Sequence, residues 1–430
     1  MAKKSTISSS DARLTDFFSQ LSSSNSSTRL NGATALKDFI EIESRIGASM
    51  GHHVSWLELV RERLGVLANS IKSEDRFGCV AAIDKMVEVC EQDTEDTRKY
   101  ILFFHTYINN ILHAATEEIE LAKEAARTLG KVIRSAGSIA SRLLEEDVGF
   151  ACNLTKRGKN DQRLIAVLVL EQLAVNAPTL FFRHVNDFFH HIFDVLWDEH
   201  VEVRVAAEQA LYACFLLLDA RKMIAHSNGR DDSDHWYKIA YNRAVLDLRQ
   251  NKSDLRCHAG FVMLRALSKQ GGSFMLQFFD DVFDILQRFC KCKTKVVRLS
   301  VLQVLAPLSQ FCSLGKLEEY LLMCINLIVR EVAAKLPVAF ESLGDLVFTC
   351  NSYFEATAMD VFKSQKENLL KVLKTGLSSS HFCDAYLSCM ANIASALGRE
   401  PSLKAFYNKK MVDKLFQGGL QPHLALSLEK

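Results

Sequence analysis

Apolar residues recur at helical spacing in several stretches of this sequence, and short polar stretches separate each of them from the element that follows. Their positions lie three, four and seven residues apart, which is the pattern of one buried face of an α-helix. We therefore predict a leading helix wherever this pattern occurs. Its clearest copies are Leu14, Phe17, Phe18 and Leu21; Ile101, Phe104, Ile108 and Ile111; Phe181, Val185, Phe188, Phe189, Ile192 and Leu196; and Met275, Phe278, Val282, Ile285 and Phe289.

A second kind of stretch follows most leading helices and has a fixed frame. It has a position often held by Arg, usually a small residue three positions later, and a bulky apolar residue seven positions later. The clearest copy runs from Arg204 through Ala207 to Leu211. Most copies recur after about 40–47 residues, which is the period of HEAT or armadillo repeats. The frames begin at Arg29, Arg76, Ala122, Arg163, Arg204, Arg256, Arg298 and Leu336.

Alternating leading helices and frames predict an all-α fold, a HEAT/armadillo-like α-solenoid in which antiparallel helix pairs stack into a superhelix. Small residues in the frame allow two helix backbones to approach, and larger residues there would overpack the core. We predict a disordered N-terminus at 1–9, eight or nine repeats at 10–400, and a terminal helix with a loose end at 401–430. Glycine-containing polar stretches predict exposed loops at Gly47–His53 and Arg221–His235.

The frame residues are predicted to hold the repeats together and not to form a binding site. Asp198 lies six residues before Arg204 and is a candidate ion-pair partner for it. Three other frame arginines lack an Asp at this offset, so we expect an incomplete ladder of Asp–Arg pairs. The predicted structural positions are Arg29, Arg76, Arg163, Asp198, Arg204, Leu211, Arg256 and Arg298.

Composition and charge narrow the function. The 430 residues are 48% hydrophobic and carry 52 basic and 51 acidic side chains, for a net charge of +1. A nucleic-acid binder or a binder of anionic membranes normally has a basic excess, so we expect neither partner. The 12 cysteines are scattered, mostly in apolar runs, which favours buried thiols in a reducing compartment. The N-terminus lacks the apolar core of a secretory signal, and no apolar run is long enough to span a bilayer.

A search for catalytic motifs gives one formal match. Gly47–Gly51 fits GxSxG with Ser49 in the nucleophile position, but that motif requires a strand-to-helix turn in a parallel sheet, and none is predicted. Phosphate loops, kinase catalytic motifs and HExxH are absent from the sequence. We therefore expect no catalytic, cofactor-binding or metal site. His184, His190 and His191 lack the spacing of a metal pair, and the phenylalanines around them are more typical of core than of a ligand pocket.

One block of the sequence resembles a known family. Residues 162–215 resemble the N-terminal HEAT region of the target of rapamycin kinases, through Ala166–Leu170, Ala177–Phe182, Phe188-Phe189 and Val195–Asp198. Asp75–Gly78 looks like the second repeat of that family. The resemblance implies a scaffold in a dimeric complex that contacts a raptor-class or rictor-class subunit and, in animal members, the small GTPase Rheb. It also implies a serine/threonine kinase domain beyond residue 430.

From the residues and the resemblance together we expect a scaffold arm that binds proteins in nutrient and growth signalling, with no catalytic machinery in these 430 residues. We expect it in the cytoplasm, reaching endolysosomal or vacuolar membranes only through partners. The alternative is a free-standing HEAT-repeat adaptor, such as a transport receptor or phosphatase scaffold. Transport receptors are typically acidic overall, and the balanced charge does not favour that class.

Overall fold

The computed structural model describes residues 2–50, 56–90, 95–115, 118–225, 233–377 and 383–397. These residues form nineteen α-helices with short 3-10 segments and no β-strand. The chain divides into two compact units, Met1–Leu217 and Leu218–Lys430. The helices are α1 (Ala2–Leu21), α2 (Ser26–Met50), α3 (Trp56–Ala68), α4 (Ser73–Met86), α5 (Glu95–Ala114), α6 (Ile119–Arg134), α7 (Ala140–Arg157), α8 (Asn160–Asn176), α9 (Pro178–Phe181), α10 (Val185–Val195), α11 (Val201–Ala225), α12 (Ser233–Gln250), α13 (Asp254–Gln270), α14 (Phe279–Phe289), α15 (Lys295–Ser309), α16 (Leu314–Ala333), α17 (Val338–Ser364), α18 (Lys366–Leu377) and α19 (Cys383–Leu397).

Helices pack in consecutive pairs, as the predicted solenoid requires. In the first unit α1 packs on α2, α3 on α4, α5 on α6 and α7 on α8, and the trailing helices α2, α4, α6 and α8 contact one another in succession. In the second unit α12 packs on α13, α14 on α15, α16 on α17 and α18 on α19, with α13, α15, α17 and α19 forming the same succession. The all-α solenoid class is therefore confirmed.

The predicted apolar faces form the cores between these helices. Leu14, Leu21 and Ile108 are fully buried on the leading helices, and Ala207 and Leu211 are fully buried on α11. Hydrophobic burial of one face per helix supplies most of the stability of such an array, since each pair covers the face of its neighbour.

One glycine of the second frame allows an unusually close approach. A Cβ atom on Gly78 of α4 would lie 2.1 Å from the backbone oxygen of Leu21 at the end of α1. No side chain fits at that distance, so only glycine permits this packing of the second pair against the first. The stretch Asp75–Gly78, noted above for its family resemblance, thus has a packing reason of its own.

Two leading helices differ from the prediction. The predicted continuous helix over Phe181–Leu196 is divided into α9, a 3-10 segment at Phe182–His184 and α10, and α14 is preceded by a 3-10 segment at Gly272–Phe278. Residues three apart share a face in a 3-10 helix as well as in an α-helix, so the apolar spacing does not distinguish the two.

Several predicted segment limits also differ. Helix α1 begins at Ala2, within the segment predicted as disordered at 1–9, and α2 continues to Met50, into the predicted loop Gly47–His53. A glycine in a helix costs only about 1 kcal/mol relative to alanine, so Gly47 does not end α2. Helices α11 and α12 enter the loop predicted at Arg221–His235 from both sides. The segment predicted at 401–430 lies outside the described residues, and the predicted domain limits as a whole stay a prediction.

Candidate protein-binding surface

Frame arginines close the turn between the two helices of a pair. Arg204 Nη1 donates to the backbone oxygens of Asp198 at 2.6 Å and Glu199 at 3.0 Å. Arg29 Nη1 does the same with Ser23 at 2.8 Å and Ser24 at 3.0 Å. The carbonyl oxygens at a helix end lack partners within the helix, and the guanidinium satisfies them. Similar bonds join Arg163 to Gly158 O at 2.9 Å and Arg298 to Lys293 O at 3.3 Å.

Three frame arginines also reach a carboxylate of the following helix pair. Arg76 bonds to Glu118, next to the start of α6, and Arg163 Nε donates to Asp198 Oδ2 at 2.6 Å. Arg298 Nε lies 3.1 Å from Glu331 Oε2 of α16, without hydrogen-bond geometry. We call these three contacts rungs.

The rungs differ from the expected ladder in the residues that pair. The predicted side-chain pair between Arg204 and Asp198 does not form, because Arg204 takes the backbone oxygen of Asp198 and leaves its carboxylate to Arg163. Glu118 and Glu331 were not predicted as ion-pair partners, because the prediction was limited to an Asp six residues before the same arginine. The usable signal is an acid four to six residues before the start of the next frame, where Glu118, Asp198 and Glu331 all lie.

Asp198 is the most densely bonded of the rung acids. Its Oδ2 accepts from Arg163 and its Oδ1 accepts from the backbone N–H of His200 at 2.9 Å. Burial alone would raise the pKa of Asp198, but the hydrogen bonds from Arg163 and His200 outweigh it and hold that pKa below its ordinary value. The carboxylate is therefore charged and fixed at neutral pH.

The remaining predicted positions have mainly local roles. Arg256 lies 3.6 Å from Asp247 of α12, so it pairs within its own helix pair. Leu211 is fully buried, and Arg76 and Arg204 are also buried. Every predicted structural position is thus placed in or beside the packing between helices, and their individual importance stays a prediction.

The aromatic helix belongs to the core. Phe188 and Phe189 are buried, their rings lie 5.5 Å apart, and Phe189 contacts Phe215 of α11 at 5.8 Å. Phe193 is buried as well, whereas Phe182 is half-buried.

A groove of about 410 Å³ lies beside this helix, between the ends of α7 and α10. Thr155 Oγ1 donates to Cys152 O at 2.8 Å, so at 2.9 Å it accepts from His191 Nδ1. Burial, helped by Lys156 and His190, lowers the pKa of His191, and the ring is neutral with its Nε2 atom free of a proton. Lys156, Asp194 and Glu199 give this groove charges of both signs.

A second groove, of about 310 Å³, crosses the trailing helices α2, α4 and α6. Its lining includes the apolar Leu30, Phe77 and Val80 and the basic Arg127. We call it the trailing-helix groove.

Other candidate chemistry is sparse in the part of the chain that the structure describes. No group of three or more His, Cys, Asp or Glu side chains in the described ranges is arranged to hold a metal ion. Burial raises the pKa of the Cys90 and Cys152 thiols to about 11 in each case, which leaves them poor nucleophiles. The Ser49 side chain of the formal GxSxG match lies outside the described side chains.

Length and apolar composition decide whether a helix can cross a membrane. In the described ranges no single helix is long and apolar enough to do so. The helices Asn160–Asn176 and Pro178–Val195 reach that length and composition only when taken together, and the pair is bent by 114°.

Stacked helix pairs with inter-pair rungs and open grooves define a HEAT-like α-solenoid, and solved structures share this fold. The karyopherin Kap121p bound to Pho4p matches 96% of this chain and 44% of its own with a TM-score of 0.54 and 13% identity. Importin beta matches 90% of this chain and 45% of its own with a TM-score of 0.50 and 15% identity. At this identity the likeness shows the fold alone.

Sequence comparison leads to one kinase family. No family model matches the chain. The serine/threonine-protein kinase TOR of Arabidopsis thaliana is 25% identical over 391 residues, which is 87% of this chain and 14% of that protein. Kinase tor1 of Schizosaccharomyces pombe is 22% identical over 433 residues, 96% of this chain and 17% of that protein. The predicted resemblance to the N-terminal region of the target of rapamycin kinases is confirmed, and the chain spans less than a fifth of the length of these relatives.

Proposed function

We propose that this chain is the N-terminal scaffold arm of a target of rapamycin kinase, and that it mediates complex assembly and partner binding in nutrient and growth signalling. The observation that carries the proposal is the continuous similarity to four such kinases, which covers between 84% and 96% of the chain. A helical array of this kind presents a long ridged surface, which suits binding better than catalysis.

The rungs support a scaffold role physically. Each of the three rungs joins a trailing helix to the turn or helix end of the following pair, so that the two joined pairs keep a constant register. A surface built from several helices is useful for recognition only when that register is constant, because the partner contacts more than one helix at once.

By resemblance, the partners are a raptor-class or rictor-class subunit, a Rheb-like small GTPase, and the rest of a dimeric kinase complex. The kinase activity of the family would then reside in sequence beyond residue 430. We place the assembly in the cytoplasm, with recruitment to endolysosomal or vacuolar membranes through these partners.

The second candidate is a free-standing HEAT-repeat adaptor. It is favoured by the solved structures of Kap121p bound to Ste12p and to Pho4p, in which the same fold is seen with a protein partner. Reading the transcript past the codon for Lys430 separates the two candidates. We expect the reading frame to continue into further HEAT repeats and a kinase domain, and a stop codon there would favour the adaptor.

Direct binding is the second test. The purified 430-residue chain is mixed with a purified raptor-class subunit from the same source and analysed by size-exclusion chromatography with light scattering. We expect a stable complex of defined mass. Separate elution at micromolar concentrations of both proteins would contradict assembly through this arm.

A further inference from the structure

The trailing-helix groove has an apolar part that is open to solvent. Leu30 of α2 is 52% exposed and lines the groove together with the half-buried Phe77 of α4. Val80, which also lines the groove, is buried. A volume of about 310 Å³ is at the small end for a binding pocket, so the groove fits one or two side chains and not a folded domain.

The lining of the groove includes a cation, Arg29, whose position is fixed before any partner binds. Arg29 is held by its two bonds to backbone oxygens, and its guanidinium carbon lies 5.1 Å from the centroid of the Phe77 ring. Such a cation–π contact combined with backbone bonds leaves the side chain little freedom to lose when a partner binds.

The charge balance of the groove is positive. Its acid Asp84 is neutralised by Lys131, whose Nζ atom lies 2.6 Å from Asp84 Oδ1. Two arginines, Arg29 and Arg127, then stand against one remaining acid, Glu124. Arg127 is exposed, so its planar guanidinium is accessible to a carboxylate, for which it is the best side-chain partner.

We propose that the trailing-helix groove binds a short segment of a protein partner in which a bulky apolar side chain stands next to an Asp or Glu. The apolar side chain lies on Leu30 and Phe77, and the carboxylate pairs with Arg127. The inference rests on the proposed function in supposing a protein partner, and it adds the site and the chemistry of the segment that the site accepts.

The test uses the whole chain and a labelled peptide pool measured by fluorescence polarisation. The pool consists of fluorescein-labelled decapeptides with Leu or Phe next to Asp or Glu in a polar spacer, and a matched pool carries Lys in place of the acid. We expect the acidic pool to bind at least tenfold more tightly than the Lys pool. Equal binding of the two pools, or binding of neither at millimolar peptide, would overturn the proposal.

Variants locate the binding. Arg127→Glu is expected to weaken binding of the acidic pool at least tenfold and to allow binding of the Lys pool. Leu30→Ala is expected to weaken binding of both pools. Arg134→Glu is the matched control, because Arg134 is an exposed arginine two turns further along α6 and outside the groove. Arg134→Glu should change the affinity for either pool by less than twofold. If Arg134→Glu acts like Arg127→Glu, the effect is one of general charge and the proposal fails.

The same variants separate this inference from the proposed function. If Arg127→Glu still binds the raptor-class subunit, and the wild-type chain binds the acidic and Lys pools equally, the groove assignment is wrong but the proposed function is not. If the wild-type chain self-associates in sedimentation and Arg127→Glu abolishes the association, the occupant is a second copy of this chain, which also overturns the peptide proposal.

Discussion

Two regions of the first unit hold helix pairs together in different ways. The phenylalanine core, Phe181, Phe188, Phe189, Phe193 and Phe215, joins α9 and α10 to α11 through ring contacts of 5.4 to 5.8 Å. The Asp198 rung joins α8 to the turn before α11 through a charge-assisted hydrogen bond from Arg163 Nε to Asp198 Oδ2. The core contacts are apolar and non-directional, whereas the rung requires particular atoms at particular distances.

The difference shows which property each region fixes. Apolar burial supplies most of the free energy, but it tolerates sliding of one helix along another by a fraction of a turn. A carboxylate that accepts from a guanidinium and from a backbone N–H at once permits one arrangement only. We infer that the core supplies cohesion between α10 and α11 and that the rung sets the register of these two helices against α7 and α8.

The largest loss of stability is expected from a substitution in the phenylalanine core. Phe189→Ala should lower the free energy of unfolding by about 3–5 kcal/mol, because it removes a 2% exposed ring and leaves a cavity. The measurement is native-state hydrogen exchange of the α10 amides, which reports opening of this part of the array. Val175→Ala is the control, since Val175 is 56% exposed and should change stability by less than about 0.5 kcal/mol. Equal effects of the two substitutions would place Phe189 outside the core.

The core was predictable from sequence because it depends on spacing alone. Leu14, Phe104, Phe188 and Phe189 are all buried where the helical pattern places them. The rungs were only partly predictable, since a rung joins residues 33 to 42 positions apart, such as Arg298 with Glu331 and Arg76 with Glu118. Which acid reaches which arginine depends on the turn conformation and on the stagger of neighbouring pairs. The trailing-helix groove was not predicted at all, because Leu30, Phe77 and Arg127 belong to three different repeats.

A smaller effect is expected from breaking the rung. Asp198→Ala should lower the free energy of unfolding by about 1–3 kcal/mol, because it leaves Arg163 and the N–H of His200 without their acceptor. Urea unfolding followed by circular dichroism measures the change. The control is Asp280→Ala, which breaks the exposed Asp280–Lys316 pair of 2.7 Å and should cost less than about 1 kcal/mol. A cost for Asp198→Ala no larger than for Asp280→Ala would make the rung an ordinary surface pair.

The smallest change in stability is expected from the pH dependence of the Asp198 rung. This pH dependence isolates the contribution of the Asp198 charge to the free energy of unfolding. The comparison is between the wild-type chain and Asp198→Asn, whose amide keeps the shape of the carboxyl group but does not titrate. Because the folded-state pKa of Asp198 is lowered from its ordinary value of 3.8, the stabilisation by its charge is fully present above about pH 4. It is lost as the pH falls through the lower folded-state pKa. The stabilisation by the charge should therefore be present in wild type above about pH 5, and the stability difference between the two proteins should shrink below pH 4.

Urea midpoints of both proteins at each pH give this difference directly, and the other carboxylates of the chain cancel because both proteins carry them. Apolar contacts do not titrate in this range, so the corresponding difference for Phe189→Ala should stay constant over the same pH interval. A difference for Asp198→Asn that persists unchanged well below pH 4 would mean that shape and hydrogen-bond capacity hold the rung. The rung would then resemble the core in depending on packing, and the register of α10 and α11 against α8 would not depend on a charged Asp198.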